Sequence, residues 1–112
     1  MSIVAGCDVG SLTAKAVIME KGRIISSALL RSKTNPQLSA EAVMQEALSK
    51  AGLSMDDIRY CIGTGYGRKN ISFVDKDVSE IACHGKGARW LNPGARTIID
   101  IGGQDCKAVR LD

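Results

Sequence analysis

Several features that would assign this 112-residue chain quickly are missing from it. Its four cysteines, Cys7, Cys61, Cys83 and Cys106, include no close pair, so no C-x-x-C zinc or cluster site is expected among them and reduced thiols are favoured. No apolar run approaches the roughly eighteen residues that span a bilayer, and no basic, apolar leader opens the sequence, so no membrane is expected and the default compartment is the cytoplasm. The fifteen Lys and Arg stand against twelve Asp and Glu, a net charge of +3. They are scattered along the chain, which predicts no nucleic-acid surface. What remains is an ordinary globular composition, 45% hydrophobic and 24% charged, in a length that suits one modest domain but hardly two.

The apolar runs Ile3 to Cys7, Ala14 to Met19 and Arg23 to Leu30 read as three adjoining strands, with Glu20-Lys21-Gly22 as a hairpin turn between the last two. After Asn35-Pro36 the period changes. Met44, Ala47, Leu48 and Ala51 line one face of a helix that Gly52 stops. Ser54 to Asp57 reads as a single capped turn, and Ile58 to Ile62 as a fourth strand leading into "GTGYGR". A second helix is predicted from Lys76 to about Trp90, with Val78, Ile81, Ala82 and Gly85 on one side. Gly85 and Gly87 weaken that helix unless something packs closely there. Thr97 to Ile101 is the fifth strand in chain order. The order βββαβαβ requires a mixed five-stranded α/β sheet, antiparallel at the hairpins and parallel where helices cross over.

One phrase occurs twice. "DVGSLTAKAV" begins at Asp8 and "DIGGQDCKAV" at Asp100, pairing Gly10 with Gly102, Lys15 with Lys107, Ala16 with Ala108 and Val17 with Val109. A lone D-x-G between strands is ordinarily a plain hairpin turn. Two matched copies suggest two related loops across a cleft. Glycines let backbone approach a ligand, successive turn N–H groups make an anion site, and Ser11 and Thr13 add hydroxyls. Carboxylates beside phosphates repel them unless a cation intervenes, so Asp8 and Asp100 imply Mg²⁺, which prefers oxygen and water ligands.

"DVGSLTAK" and "DIGGQD" resemble the first and second phosphate motifs of the superfamily of actin, sugar kinases and heat-shock chaperone ATPases. Together with "GTGYGR" and "SEIACHGKGA" they resemble, more narrowly, the activator ATPases of 2-hydroxyacyl-CoA dehydratases and the ATPase subunits of benzoyl-CoA reductases. The resemblance runs from Ile3 to Leu111. It implies a ribonuclease H-like (actin-like ATPase) fold, with residues 1–96 as an N-terminal subdomain and 97–112 as the start of a second, homologous one.

It also implies roles. Gly10, Ser11, Leu12 and Thr13 would cradle the β- and γ-phosphates of ATP, and Asp8 would hold Mg²⁺ through water. Asp100 would sit near the metal or the attacking water, Gly102 and Gly103 against the γ-phosphate, and Gln104 beside them. Glu80 would help order water or metal, with a surface carboxylate near Lys76 or Lys86 as the plainer reading. Arg68 could reach a phosphate or be a solvated loop residue, and Lys15 would support the phosphates electrostatically. His84 is expected to be structural, Tyr66 and Trp90 to be packing residues, and the cysteines, three in strands and one in a helix, to be buried thiols.

In this family a 4Fe-4S cluster is shared between the subunits of a homodimer, on cysteines that follow the second phosphate motif, so its ligands are expected outside these residues. The implied partners are an acyl-CoA dehydratase or reductase and an electron donor such as ferredoxin or flavodoxin. Two alternatives stay open: a small-molecule (sugar) kinase of the same superfamily, for which "GTGYGRKN" offers no obvious sugar-contacting base, and a non-catalytic half-domain used for assembly.

Overall fold

The computed structural model of the protein describes residues 2–101 and 106–111. β1 (Ile3–Val9) pairs antiparallel with β2 (Thr13–Glu20), which turns at Lys21-Gly22 into the antiparallel β3 (Arg23–Arg31). Lys21 and Gly22 both take positive φ, the geometry of a two-residue turn whose twist matches the strands it joins. Alternation then sorts the side chains. Ala5, Cys7 and Val9 of β1, with Ala14, Ala16 and Ile18 of β2, are buried on one face of the sheet. Most of these are small, so the covering helix can lie close.

That helix is α1 (Pro36–Ala51). The Asn35 side chain accepts from the Gln37 and Leu38 N–H groups at its start, Pro36 supplies a preset φ, and Gly52 at φ 68° ends it. Ala40, Val43, Met44, Ala47 and Leu48 are its buried stripe, which contains three of the four predicted positions, Ala51 at the helix end being only half-buried. A 3-10 turn at Met55–Asp57 follows, with the Asp57 carboxylate accepting from the Ser54 N–H. The chain re-enters the sheet as β4 (Tyr60–Thr64), parallel to β1.

The structure corrects the sequence reading in several places. β4 runs two residues further than predicted, because β1 continues to Val9 and its parallel partner continues with it, bringing Thr64 opposite Asp8. Gly63 reads as loop but belongs to the strand, paired with Cys7 of β1, and a Cβ there would lie 2.9 Å from the Val74 side chain. Lys76 does not open a helix: Lys76–Asp77 form a short β5 parallel to β4, and α2 (Glu80–Leu91) begins only after Ser79, whose hydroxyl accepts from the Ala82 N–H. The mixed five-stranded sheet is therefore ordered β3-β2-β1-β4-β5. β6 (Thr97–Ile101) is not its member but pairs antiparallel with β7 (Cys106–Arg110) in a second, two-stranded sheet. Finally, Cys106 is exposed and Cys83 half-buried, so burial is confined to Cys7 and Cys61.

α2 lies against the β6–β7 hairpin, with Leu111 filling the space where a Gly85 side chain would stand. Gly85 is its buried residue, while Ile81 and Ala82 of the expected apolar face are exposed. Nothing stands within 4 Å of a Cβ at Gly87, so the close packing expected there is at Gly85 alone. Between α2 and the sheet face opposite α1 runs an apolar groove of about 400 Å³, lined by residues including Val4, Val17, Met19, Ile62 and Trp90. Trp90 and Tyr66 are each about half exposed rather than packed away. Among the described residues no helix is long and apolar enough to cross a membrane.

Candidate functional site

Because Ala5, Cys7 and Val9 turn toward α1, the intervening Asp8 turns to the opposite face of the sheet. Register then fixes its neighbours: Lys15 across the antiparallel β1–β2 pair, and Thr64 across the parallel β1–β4 pair. Lys15 Nζ is 3.4 Å from Asp8 Oδ2, with the two side chains 44% and 21% exposed. An ion pair this open contributes only about 0–1 kcal/mol, so its importance is positional: it sets a cation beside a carboxylate at the end of a strand. Thr64, on the other side, is buried, and among the described residues its Oγ1 meets no hydrogen-bond partner.

The turn that follows Asp8 is held through its carbonyls. The Gly10 N–H donates to Thr13 O at 3.0 Å and closes the loop, while the Ser32 hydroxyl donates to Gly10 O and the Ser32 N–H to Leu12 O, each at 2.8 Å. Among the described residues, the Ser11 and Leu12 N–H groups meet no acceptor. A turn whose acceptors are tied down and whose donors are free is suited to an anion. Ser32 was not legible as part of this arrangement, since nothing in the sequence announces that the end of β3 returns to the β1–β2 turn.

The segment after β4 closes over the same strand end. Gly65 has φ 92°, and a Cβ there would stand 2.3 Å from Val9 O and 2.5 Å from Asp8 Oδ1. The chain passes so near the carboxylate that only glycine fits. Arg68 is engaged on two sides: its Nη1 donates to Gly65 O at 3.2 Å, and its Nε lies 3.5 Å from Asp77 Oδ2. Lys69 shares that oxygen at 3.1 Å, and its hydrogen bond holds the Asp77 carboxyl below its ordinary value. Arg68 thus braces the Gly65 turn from behind while paired with Asp77.

The structure gathers Asp8, Gly10, Ser11, Leu12, Thr13 and Lys15 in one corner, adds Thr64, Gly65 and Ser32 to them, and places Arg68 behind Gly65. Glu80 is half-buried as the first residue of α2. Its carboxylate makes no hydrogen bond or ion pair among the described residues, so neither Lys76 nor Lys86 holds it. Asp100 lies on β6, opposite Lys107 on β7. Gly102, Gly103 and Gln104 lie outside the described residues.

A magnesium-bound phosphate fits this corner: the donors are oxygens, the Asp8 carboxylate and the hydroxyls of Ser11, Thr13 and Thr64, beside free turn N–H groups. Mg²⁺ is ordinarily held by one or two carboxylates, water and the phosphates themselves, so no protein cage is required. Among the described residues no three His, Cys, Asp or Glu side chains gather. Cys7 and Cys61 are sealed in the core, away from any surface at which a cluster shared between subunits could form. Burial, helped by Cys61 and Asp8, pushes the Cys7 thiol up to about 12, and burial together with Asp75 pushes Cys61 up to about 11.

Comparison with known proteins points one way. The model of the BadF/BadG/BcrA/BcrD ATPase family matches residues 5–112. The activator of lactoyl-CoA dehydratase from Anaerotignum propionicum is 49% identical over 107 residues, 96% of this chain and 41% of that protein. Component A of (R)-2-hydroxyglutaryl-CoA dehydratase from Acidaminococcus fermentans superposes with a TM-score of 0.94 at 33% identity, over the whole of this chain and 44% of that one. The activator of 2-hydroxyisocaproyl-CoA dehydratase from Clostridium difficile, solved with bound ADPNP, gives 0.92 at 41% identity over 98% of this chain and 41% of its own. The chain thus spans about two-fifths of the length of these relatives.

Proposed function

Since the chain belongs to the BadF/BadG/BcrA/BcrD ATPase family, we propose that it forms the N-terminal part of an ATP-hydrolysing, iron–sulfur activator that drives low-potential electron transfer into an acyl-CoA dehydratase or benzoyl-CoA reductase. The observation that carries this reading is a shared register. Asp8 opposes Lys15 across β1–β2, and Asp100 opposes Lys107 across β6–β7. The repeated phrase is thus a repeated hairpin, as two phosphate loops of common origin require. Residues 97–112 then open the second ribonuclease H-like subdomain, at the point where the second sheet begins.

In this proposal the Ser11 and Leu12 N–H groups and the Thr13 hydroxyl bind the β- and γ-phosphates, with Gly10 keeping the turn tight. Lys15 adds positive charge, and Asp8 holds the metal through water. Asp100, Gly102, Gly103 and Gln104 face the γ-phosphate from the second hairpin, and Glu80 helps order the attacking water. Bound Mg²⁺ neutralises charge on the transferred phosphoryl group; the protein's own part is to position donors and exclude misaligned water. Hydrolysis would alter the relation of the two subdomains and thereby of a 4Fe-4S cluster, ligated beyond this chain and shared in a homodimer, to the partner enzyme. Ferredoxin or flavodoxin is the proposed electron donor.

Asp8→Asn and Asp100→Asn in the intact protein are each expected to lower ATP turnover by about a hundredfold or more, with thermal unfolding unchanged. Undiminished turnover in both would refute the proposal.

A further inference from the structure

The hydroxyl of Thr64 is an anomaly. Its residue is 7% exposed, at the carboxyl end of a parallel strand, and among the described residues Oγ1 finds no partner. Buried hydroxyls are nearly always hydrogen-bonded, because burial strips them of water and the lost bonds must be replaced. A valine has almost the same shape and would fill the position without that penalty, so packing does not explain a threonine here.

Its surroundings supply a reason. Thr64 stands beside Asp8 in the parallel register, on the same face of the sheet, and the next residue, Gly65, presses against the Asp8 carboxylate. Parallel α/β sheets place their ligands off the carboxyl ends of strands, which is where both side chains sit. The row Lys15, Asp8, Thr64 therefore offers a cation, an anion and a neutral hydroxyl across three adjacent strands.

We propose that Thr64 is a further ligand-contacting residue of this corner, its hydroxyl hydrogen-bonding an oxygen of the magnesium–nucleotide complex gathered at Asp8, either a phosphate oxygen or a metal-bound water. The inference rests on the nucleotide reading given above and adds to it a residue from the motif after β4. Threonine is suited to the task because a hydroxyl both donates and accepts, and so serves a phosphate oxygen or a water without adding charge beside Asp8.

The test is titration of the intact protein, Thr64→Val and Thr64→Ser with ADP, once with Mg²⁺ and once with EDTA, alongside thermal melts without nucleotide. Thr64→Val is expected to weaken binding of ADP with Mg²⁺ about tenfold, while Thr64→Ser stays near the unsubstituted protein. Without nucleotide the valine variant is expected to melt at the same temperature or higher, since it removes an unpaired buried group. A loss seen only with Mg²⁺ assigns the contact to metal-bound water, and a loss in both arms assigns it to phosphate. Unchanged affinity in Thr64→Val overturns the inference while leaving the nucleotide reading intact. So does a valine variant that melts lower or fails to fold, because the hydroxyl would then be structural. If the unsubstituted protein binds no ADP at all, the nucleotide reading fails and this inference fails with it.

Discussion

Gly65 shows how much one residue can decide. Its φ of 92° lies in the region side chains avoid, and the space a Cβ would need is already taken by Val9 O and Asp8 Oδ1. Gly52 is a useful contrast: its φ is 68°, but nothing stands within 4 Å of the Cβ position. Gly52→Ala is therefore expected to cost only the conformational penalty, about 1 kcal/mol. Gly65→Ala should cost more, roughly 2–3 kcal/mol, and should also displace the Asp8 carboxylate. Urea denaturation of the two variants checks the ranking, and equal costs would show that the loop moves aside freely. In the sequence, "GTGYGR" marks itself as a turn through its glycines. Which glycine touches Asp8 is not legible, because that contact is made between residues distant in the chain. Thr64 is hidden for a related reason: the apolar pattern ends the strand at Ile62, and two more residues of pairing move the threonine from a loop to the floor of the site.

At the scale of elements, the local signals served well wherever neighbours in sequence are neighbours in space. The Lys21-Gly22 hairpin, α1 with its Asn35 and Gly52 ends, and the capped turn before β4 all follow from short-range chemistry. β5 and the start of α2 did not, because two residues become a strand only through pairing with β4. The core cluster also seals the thiols of Cys7 and Cys61, and this gives the stability a pH signature. Both folded-state values are raised above the ordinary 9.0, to about 12 and about 11. Above pH 9 the unfolded chain loses these protons while the folded protein keeps them, so the contribution is complete below pH 9 and is lost as pH rises toward 11–12. The urea midpoint is expected to fall between pH 9 and 11, and less steeply in Cys7→Ala and Cys61→Ala than in the unsubstituted protein. A midpoint whose pH dependence is the same in all three would show that the thiols are not sealed.

At the scale of the whole molecule, the repeated phrase is the feature that sequence reading grasped and the structure made specific. Two hairpins share one register, yet they belong to different sheets, the first stitched into the five-stranded sheet and the second packed beside α2. A sheet of five strands with a helix over one face buries a core of its own, so the first hairpin is rigidly held. The second sheet has two strands, and such a pair is marginal without further packing. Two loops that grip one polyphosphate contribute jointly only if both are held in place, since ordering a loose loop on binding subtracts from affinity. The 112-residue chain by itself is accordingly expected to bind ATP with Mg²⁺ at least a hundredfold more weakly than the intact protein, with its heat of binding abolished by Asp8→Asn. Isothermal titration of both proteins decides it. Equal affinity would mean that the corner around Asp8 suffices for the nucleotide, and the second hairpin would then have to act on hydrolysis alone.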